Sequence, residues 1–285
     1  MAKQNKHLGP LRAYKNPFFL NSKDARPIRI LSEFLEPLSR FNYFGVKDII
    51  VFFGSARIKS PADAGKKLSE ISLKLKKRRK TDLNNSEEYR RAKNALELSA
   101  YYNDAVRLAF LLTKWSKSLK EKNRFVVCTG GGPGIMEGAN KGASLAGGKS
   151  IGLNISLPFE QFPNKYITSE LNFEFHYFFM RKYWFMYLGK ALIAFPGGFG
   201  TLDELMELLT LLQTGKIKKK MTVILYGRKY WEQIVNFPLL KSLGMINEED
   251  LNLFSFADSP EQAFKLLKDG LLKNYPHQSI RKKIK

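Results

Sequence analysis

Apolar runs of about five residues recur along the chain, each followed by a stretch of helical periodicity. The first is Ile49-Ile-Val-Phe-Phe53, and others lie at 124–128, 150–155, 171–176, 191–195 and 222–226. Runs that are apolar throughout, rather than at alternate positions, indicate strands buried on both faces. Apolar positions three or four apart predict helices over 61–79, 86–119, the residues after 134 to about 146, 178–188, 202–214, 229–236 and 260–273. A turn-like segment at 81–86 joins the first two. Ahead of the first strand, residues 22–43 predict an amphipathic helix opened by Ser22 and Asp24. The alternation predicts an α/β fold, with a parallel sheet covered by helices on both faces and a helical N-terminal extension. Gly and Pro are spread between the runs, so one domain is expected over 48–274. A basic arm and helix at 1–47 precede it, and a basic tail at 275–285 follows.

Composition narrows the class. Of 285 residues, 44% are hydrophobic, enough for a full core and too many for a disordered chain. The single cysteine, Cys128, sits in an apolar run and is expected as a small buried hydrophobe in a reducing, cytoplasmic setting. No apolar stretch approaches the ~18–20 residues that span a bilayer, so no membrane partner is expected. His7 and His277 lie in the tails and His176 is isolated, so no metal site is expected. The formal net charge is +22, which favours anionic partners. Twelve basic side chains fall within 59–93, centred on Lys74-Leu-Lys-Lys-Arg-Arg-Lys80. With no aromatic residue interleaved in that run, a solvated helix face is favoured over nucleic-acid contact.

The candidate chemistry lies where strands end. Thr129-Gly-Gly-Gly-Pro-Gly-Ile-Met-Glu137 joins a strand to a helix, and four glycines in five residues exceed what a turn needs. Backbone that approaches an anion closely at a helix N-terminus makes a phosphate site, with Pro133 suited to the first turn. It is not the dinucleotide pattern, because Ile135 stands where the last glycine belongs. Ala143 to Ser150 mimics a phosphate-binding P-loop, but it ends a helix and opens a strand, so it reads as a helix stop. The second loop, Pro196-Gly-Gly-Phe-Gly-Thr-Leu-Asp-Glu204, has the same strand–loop–helix context. Thr201 and Glu204 have capping-box spacing. Against that structural reading stand the excess of glycine and the second carboxylate, Asp203, beside Glu204. A helix N-terminus would keep Glu204 ionised. In Phe178-Phe-Met-Arg-Lys-Tyr-Trp-Phe-Met-Tyr187 the aromatic residues suit a core or a subunit interface. Arg181 and Lys182 break that pattern, Arg181 as a planar fork for oxyanions and Lys182 equally well as a solvated residue.

Taken in order, Gly54-Ser55-Ala56-Arg57, Gly130 to Glu137, Met180-Arg181-Lys182 and Pro196 to Glu204 resemble the LONELY GUY (LOG) family of cytokinin-activating phosphoribohydrolases. The resemblance spans about 48–270 and is closest to longer members with a helical extension and Gly152-Leu-Asn-Ile-Ser-Leu-Pro158. It implies a Rossmann-like, doubly wound fold and hydrolysis of a nucleoside 5′-monophosphate, such as AMP, to free base and ribose 5-phosphate. It also implies paired subunits with the site near their interface. Arg181 and Glu204 fall on the catalytic pair. The expected substrate-binding set is Gly54, Ser55, Arg57, Gly131, Gly132, Gly134, Glu137, Met180, Lys182, Gly197, Gly198, Gly200 and Thr201. No cofactor is expected. The family is often mislabelled as lysine decarboxylases, and no lysine here stands in a context that marks a pyridoxal-phosphate anchor. Cleaving an N-glycosidic bond builds positive charge on the sugar. Glu204 suits that need, with Asp203 or Glu137 as a second carboxylate. Two rival readings are a non-catalytic nucleotide or molybdenum-cofactor carrier and, on charge alone, a nucleic-acid-binding protein.

Overall fold

The computed structural model describes residues 10–77, 86–119, 121, 124–158 and 162–276. Arg78 to Lys80 of the basic run, the turn residues 81–85, His7 and the tail from His277 onward lie outside the described residues. The N-terminal part holds α1 (Pro17–Leu20) and α2 (Arg26–Tyr43). Next come β1 (Ile49–Phe53), α3 (Pro61–Lys77), α4 (Glu87–Leu98), α5 (Ala100–Ser118), β2 (Val126–Thr129), α6 (Ile135–Leu145), β3 (Ser150–Ile155) and β4 (Asn172–Phe175). The second half holds α7 (Phe178–Leu188), β5 (Gly189–Ala194), α8 (Phe199–Gln213), β6 (Thr222–Tyr226), α9 (Arg228–Ile234), α10 (Phe237–Ser242), β7 (Ser255–Ala257) and α11 (Pro260–Asn274).

The seven strands form one parallel sheet in the order β4-β3-β2-β1-β5-β6-β7. The chain winds outward from β1 to β4, then returns to the other side of β1 and winds outward again. This is the doubly wound, Rossmann-like topology, and its switch point lies between β1 and β5. Strand side chains alternate between two cores. Val51, Cys128, Leu153, Leu192 and Leu225 face α2, α7, α8 and α9, while Ile50, Val127, Ile193 and Ile224 face α5, α6 and α11. Both sets are fully apolar, as the uninterrupted runs predict. Among the described residues, no helix is long and apolar enough to cross a membrane.

Several boundaries depart from the sequence expectation. The extension helix begins at Arg26 rather than Ser22. Pro27 occupies its first turn, and Arg29 holds the preceding chain by donating to the carbonyls of Leu20 and Ser22. The helix expected over 86–119 breaks at Ser99, whose hydroxyl donates to Leu96 O at 2.6 Å. Its halves serve different partners: α4 packs on α3 through Ala92, Ile71 and Leu75, whereas α5 packs on the sheet. Strand β2 starts at Val126 instead of 124. Phe125 takes a left-handed φ of 53°, and the Arg124 side chain bonds Asp48 at 2.8 Å. No element is predicted over 237–257, where α10, a 3-10 turn and β7 form. Three-residue β7 has an exposed first position and gives no apolar run. The P-loop look-alike is indeed a helix stop, with Gly147 at φ 64° and its amide on Ser144 O.

Helix α6, which leads away from the first glycine loop, lies close against α5. A Cβ at Gly142 would sit 2.1 Å from Val106 O and 2.9 Å from Ala109 Cβ, and one at Gly138 would sit 3.0 Å from Tyr102 O. The small residues set the helix spacing. Gly142→Ala should therefore destabilise the protein by about 1–3 kcal/mol through overpacking, despite alanine's better helix propensity. Urea denaturation measures this, and a variant more stable than wild type would contradict the packing argument.

Candidate active site

Three loops meet at the switch point. Gly54–Arg57 follows β1, 130–134 follows β2, and 195–198 follows β5. Ser55 ties them together: its amide donates to Pro196 O at 3.0 Å, and its carbonyl accepts from Ile135 N at 3.1 Å. No side chain larger than hydrogen fits at the crossings. A Cβ at Gly54 would lie 2.7 Å from Ile135 Cγ2, one at Gly134 2.4 Å from Ser55 O, and one at Gly197 2.1 Å from Thr201 Oγ1. Gly131 and Gly134 also have positive φ, 75° and 73°. By contrast, a Cβ at Gly198 or Gly200 would meet nothing, because the first turn of α8 opens to solvent. Gly198 is the N-cap of α8 and no side chain caps that end, which leaves first-turn amides facing outward. Pro133 lies before α6 and not in its first turn, since that helix begins at Ile135.

The capping-box reading of Thr201 and Glu204 does not hold. Because α8 starts at Phe199, Thr201 is buried in the first turn and Glu204 is the sixth helical residue. Glu204 points into the protein and is 3% exposed. Its Oε1 faces Arg181 NH2 at 3.5 Å, and its Oε2 is buried with no hydrogen-bond partner among the described residues. Burial drives the Glu204 carboxyl up to about 7, against the pull of Arg181 and Lys182, and Glu207 and Asp203 add to the rise. The expectation that the helix N-terminus keeps Glu204 ionised is thus reversed. The dipole acts within the first turn, and desolvation outweighs it beyond that.

Arg181 comes from α7, whose placement depends on the extension. Glu33 of α2 accepts from the amides of His176 and Tyr177 through its carboxylate, and its carbonyl accepts from Trp184 Nε1 at 2.9 Å. Trp184 is fully buried among Phe34, Phe41, Tyr183 and Tyr187. This fastening aims Arg181 inward between the rings of Phe178 and Phe185. Arg181 also borders the first glycine loop, since a Cβ at Gly130 would lie 3.9 Å from its NH1. Burial lowers the Arg181 pKa, and Glu204 opposes that shift.

The other expected residues separate into two groups. Lys182 is not merely solvated: it binds Asp203 at 2.8 Å and Glu207 at 2.9 Å. Burial lowers its pKa, but these two partners outweigh that and leave it raised. Asp203 is exposed and paired with Lys182, and its charge lies near enough to Glu204 to raise the Glu204 pKa. Glu137, in the first turn of α6, accepts from Tyr102 OH at 2.9 Å. Met180 is buried in the sheet core, and Arg57 is exposed, with its amide donating to Ser55 Oγ. Sequence reasoning missed a polar network beneath the first glycine loop. Asn140 Oδ1 accepts from both Thr129 Oγ1 and Asn164 Nδ2, and Asn154 presses against Gly131. Their only trace in the sequence is asparagine at otherwise apolar or loop positions. Among the described residues, no three His, Cys, Asp or Glu side chains gather as a metal centre would need.

The family model described as "Possible lysine decarboxylase" matches residues 136–267, which include Arg181, Glu204 and the second glycine loop. No curated protein sequence matches the chain. Among solved structures, the molybdenum cofactor binding protein of the phototrophic bacterium Rippkaea orientalis is similar at 24% identity and a TM-score of 0.43. That alignment covers 59% of this chain and 86% of that one. The Moco carrier protein of Chlamydomonas reinhardtii is similar at 20% identity and a TM-score of 0.45, over 80% of this chain and 99% of that one. The match at residues 136–267 is consistent with the resemblance to the LONELY GUY family.

Proposed function

We propose that the protein hydrolyses the N-glycosidic bond of a nucleoside 5′-monophosphate, releasing the free base and ribose 5-phosphate. The observation that carries this reading is the buried Glu204 carboxyl, with one oxygen unpartnered, the other facing Arg181, and a pKa near neutrality. Water adds to C1′ as the C1′–N bond breaks, and the bonding pair leaves with the base. The Glu204 carboxylate offsets the cationic sugar as the C1′–N bond loosens, then takes the proton from the water as the C1′–O bond forms; returning that proton through solvent to the departing base neutralises the base and restores the carboxylate. Arg181 holds the carboxylate in place. The loops carrying Gly131, Gly132, Gly134, Gly197, Gly198, Gly200 and Thr201 form the phosphate cradle at the strand ends; the amides of Gly131 and Thr201 are engaged by Thr129 Oγ1 and Gly198 O, so the other glycines offer the donors. Gly54, Ser55, Arg57, Glu137, Met180 and Lys182 complete the substrate-binding set. A non-catalytic carrier would use such glycine loops but has no need of a buried carboxyl that titrates near pH 7.

Incubation with AMP should yield adenine and ribose 5-phosphate, and adenosine should be cleaved less efficiently by on the order of a hundredfold. Tight binding of AMP without release of adenine would favour a carrier. Equal cleavage of adenosine would refute the phosphate assignment.

The pH dependence follows from the sign of the Glu204 shift. The base form is needed, so kcat/KM should rise with pH up to about 7 and level off above it. Because Arg181 lowers the Glu204 pKa, Arg181→Met should move that limb to higher pH. Glu204→Gln should remove it and cost at least about a hundredfold in kcat. Stability should move the other way. A carboxyl whose folded pKa is raised is favoured in its protonated form, so its penalty is absent below about 4.5 and complete above about 7. Glu204→Gln should thus be more stable than wild type by about 1–3 kcal/mol at pH 8, with the gap closing towards pH 5. A variant less stable than wild type at pH 8 would contradict the burial argument.

The active form is a homodimer. Phe178, Phe179 and Tyr187 on α7 are half exposed. Beside them lies an apolar groove of about 730 Å³ lined by Pro27, Ile30, Leu31, Phe34, Phe179 and Tyr183. A second copy would cover this face and close the site from one side. Light scattering should give twice the 32.7 kDa chain mass at micromolar concentration, and a monomer there would refute the assembly.

A further inference from the structure

We infer that Asn164 is a positioning residue that holds the first glycine loop in an anion-accepting form; this rests on the proposed phosphate role of that loop. Asn164 lies in the connection between β3 and β4. Its side-chain Nδ2 donates to Gly131 O at 3.0 Å, Gly132 O at 3.1 Å and Asn140 Oδ1 at 2.9 Å, while its backbone amide donates to Gly131 O at 2.8 Å. One residue therefore engages two consecutive carbonyls of the loop.

Residues 164–168 of that connection are held in turn by hydrogen bonds. Asn164 Oδ1 accepts from Tyr166 N, Ser150 Oγ donates to Tyr166 O, and Ser150 N donates to Thr168 Oγ1. Below, Thr129 Oγ1 accepts from Gly131 N at 2.9 Å and donates to Asn140 Oδ1 at 2.7 Å. Thr129 and Asn140 are fully buried, so this network is shielded from competing water.

The consequence for charge follows from peptide geometry. In a planar trans peptide the C=O and the next N–H point in opposite directions. Engaging Gly131 O turns the Gly132 N–H away from Asn164, towards the open side of the loop. Engaging Gly132 O removes a second carbonyl from that side, and Pro133 contributes no N–H of its own. Without the clamp, either carbonyl is free to rotate outward and repel an anion, because the glycines impose no φ limit. Asn164 thus acts on the phosphate through the loop and has no part in bond cleavage.

The test uses the full chain with Asn164→Ala and Asn164→Asp; the latter keeps the shape but loses the Nδ2 donors. KM for AMP should rise roughly tenfold or more in both variants. The kcat should change less than about twofold, as should kcat/KM for adenosine, so that the preference for AMP shrinks. A preference equal to wild type in either folded variant would overturn the proposal, as would a fall in kcat with KM unchanged. Amide hydrogen exchange across 130–137 in the ligand-free protein separates this inference from the functional reading. Faster exchange in the variants supports the clamp even if wild type fails to discriminate AMP from adenosine, a result that would count against the functional reading alone. Unchanged exchange overturns the clamp whatever the substrate.

Discussion

A carboxylate and a guanidinium, both taken out of water and facing each other at 3.5 Å, form the constraint on which the rest of the site depends. At that separation the pair is not a tight bidentate bridge, and Glu204 Oε2 and Arg181 Nε both lack partners among the described residues. Buried pairs of this kind seldom add stability, because desolvation cancels much of the attraction. Here the balance goes to desolvation, which raises the Glu204 pKa and lowers that of Arg181. Such a pair is held at a cost in stability, which makes it a candidate for a functional site.

Holding the pair in place takes elements from opposite sides of the switch point. Glu204 sits on α8 after β5, and Arg181 on α7 after β4, with α2 fastening α7 through Glu33. The N-terminal extension is therefore part of the scaffold of the candidate site, because its helix ties down the one that carries Arg181. The loops between them are locked by close approaches, of the Ile135 side chain at Gly54, of the Ser55–Ala56 backbone at Gly134 and of the Thr201 side chain at Gly197, where a methyl group would force its neighbour to shift. The glycines thus have two distinct duties. Some let backbone segments cross, whereas Gly198 and Gly200 leave the mouth of α8 open.

Much of this was legible in the residues. Apolar runs such as Ile49–Phe53 and Val223–Tyr226 located β1 and β6 and required a sheet buried on both faces. The aromatic stretch 178–188 gave the limits of α7. What failed to show has physical causes. Gly200 lies inside α8, and because glycine usually breaks helices the start was placed three residues late, at 202. That displacement made Thr201 and Glu204 look like a cap and hid how deeply Glu204 is buried. Ionisation depends on desolvation, a property of tertiary packing that local spacing does not encode. The Thr129–Asn140–Asn164 network joins residues up to 35 positions apart, and no periodicity announces it.

The account turns on the statement that the fold, and not the helix end, sets the ionisation of Glu204. Titration of the side-chain carboxyl carbons by NMR, with Glu204→Gln to assign the resonance, measures this directly in the ligand-free protein. The account predicts a midpoint near 7 that moves higher in Arg181→Met. A midpoint at the ordinary glutamate value of about 4.3 would contradict it.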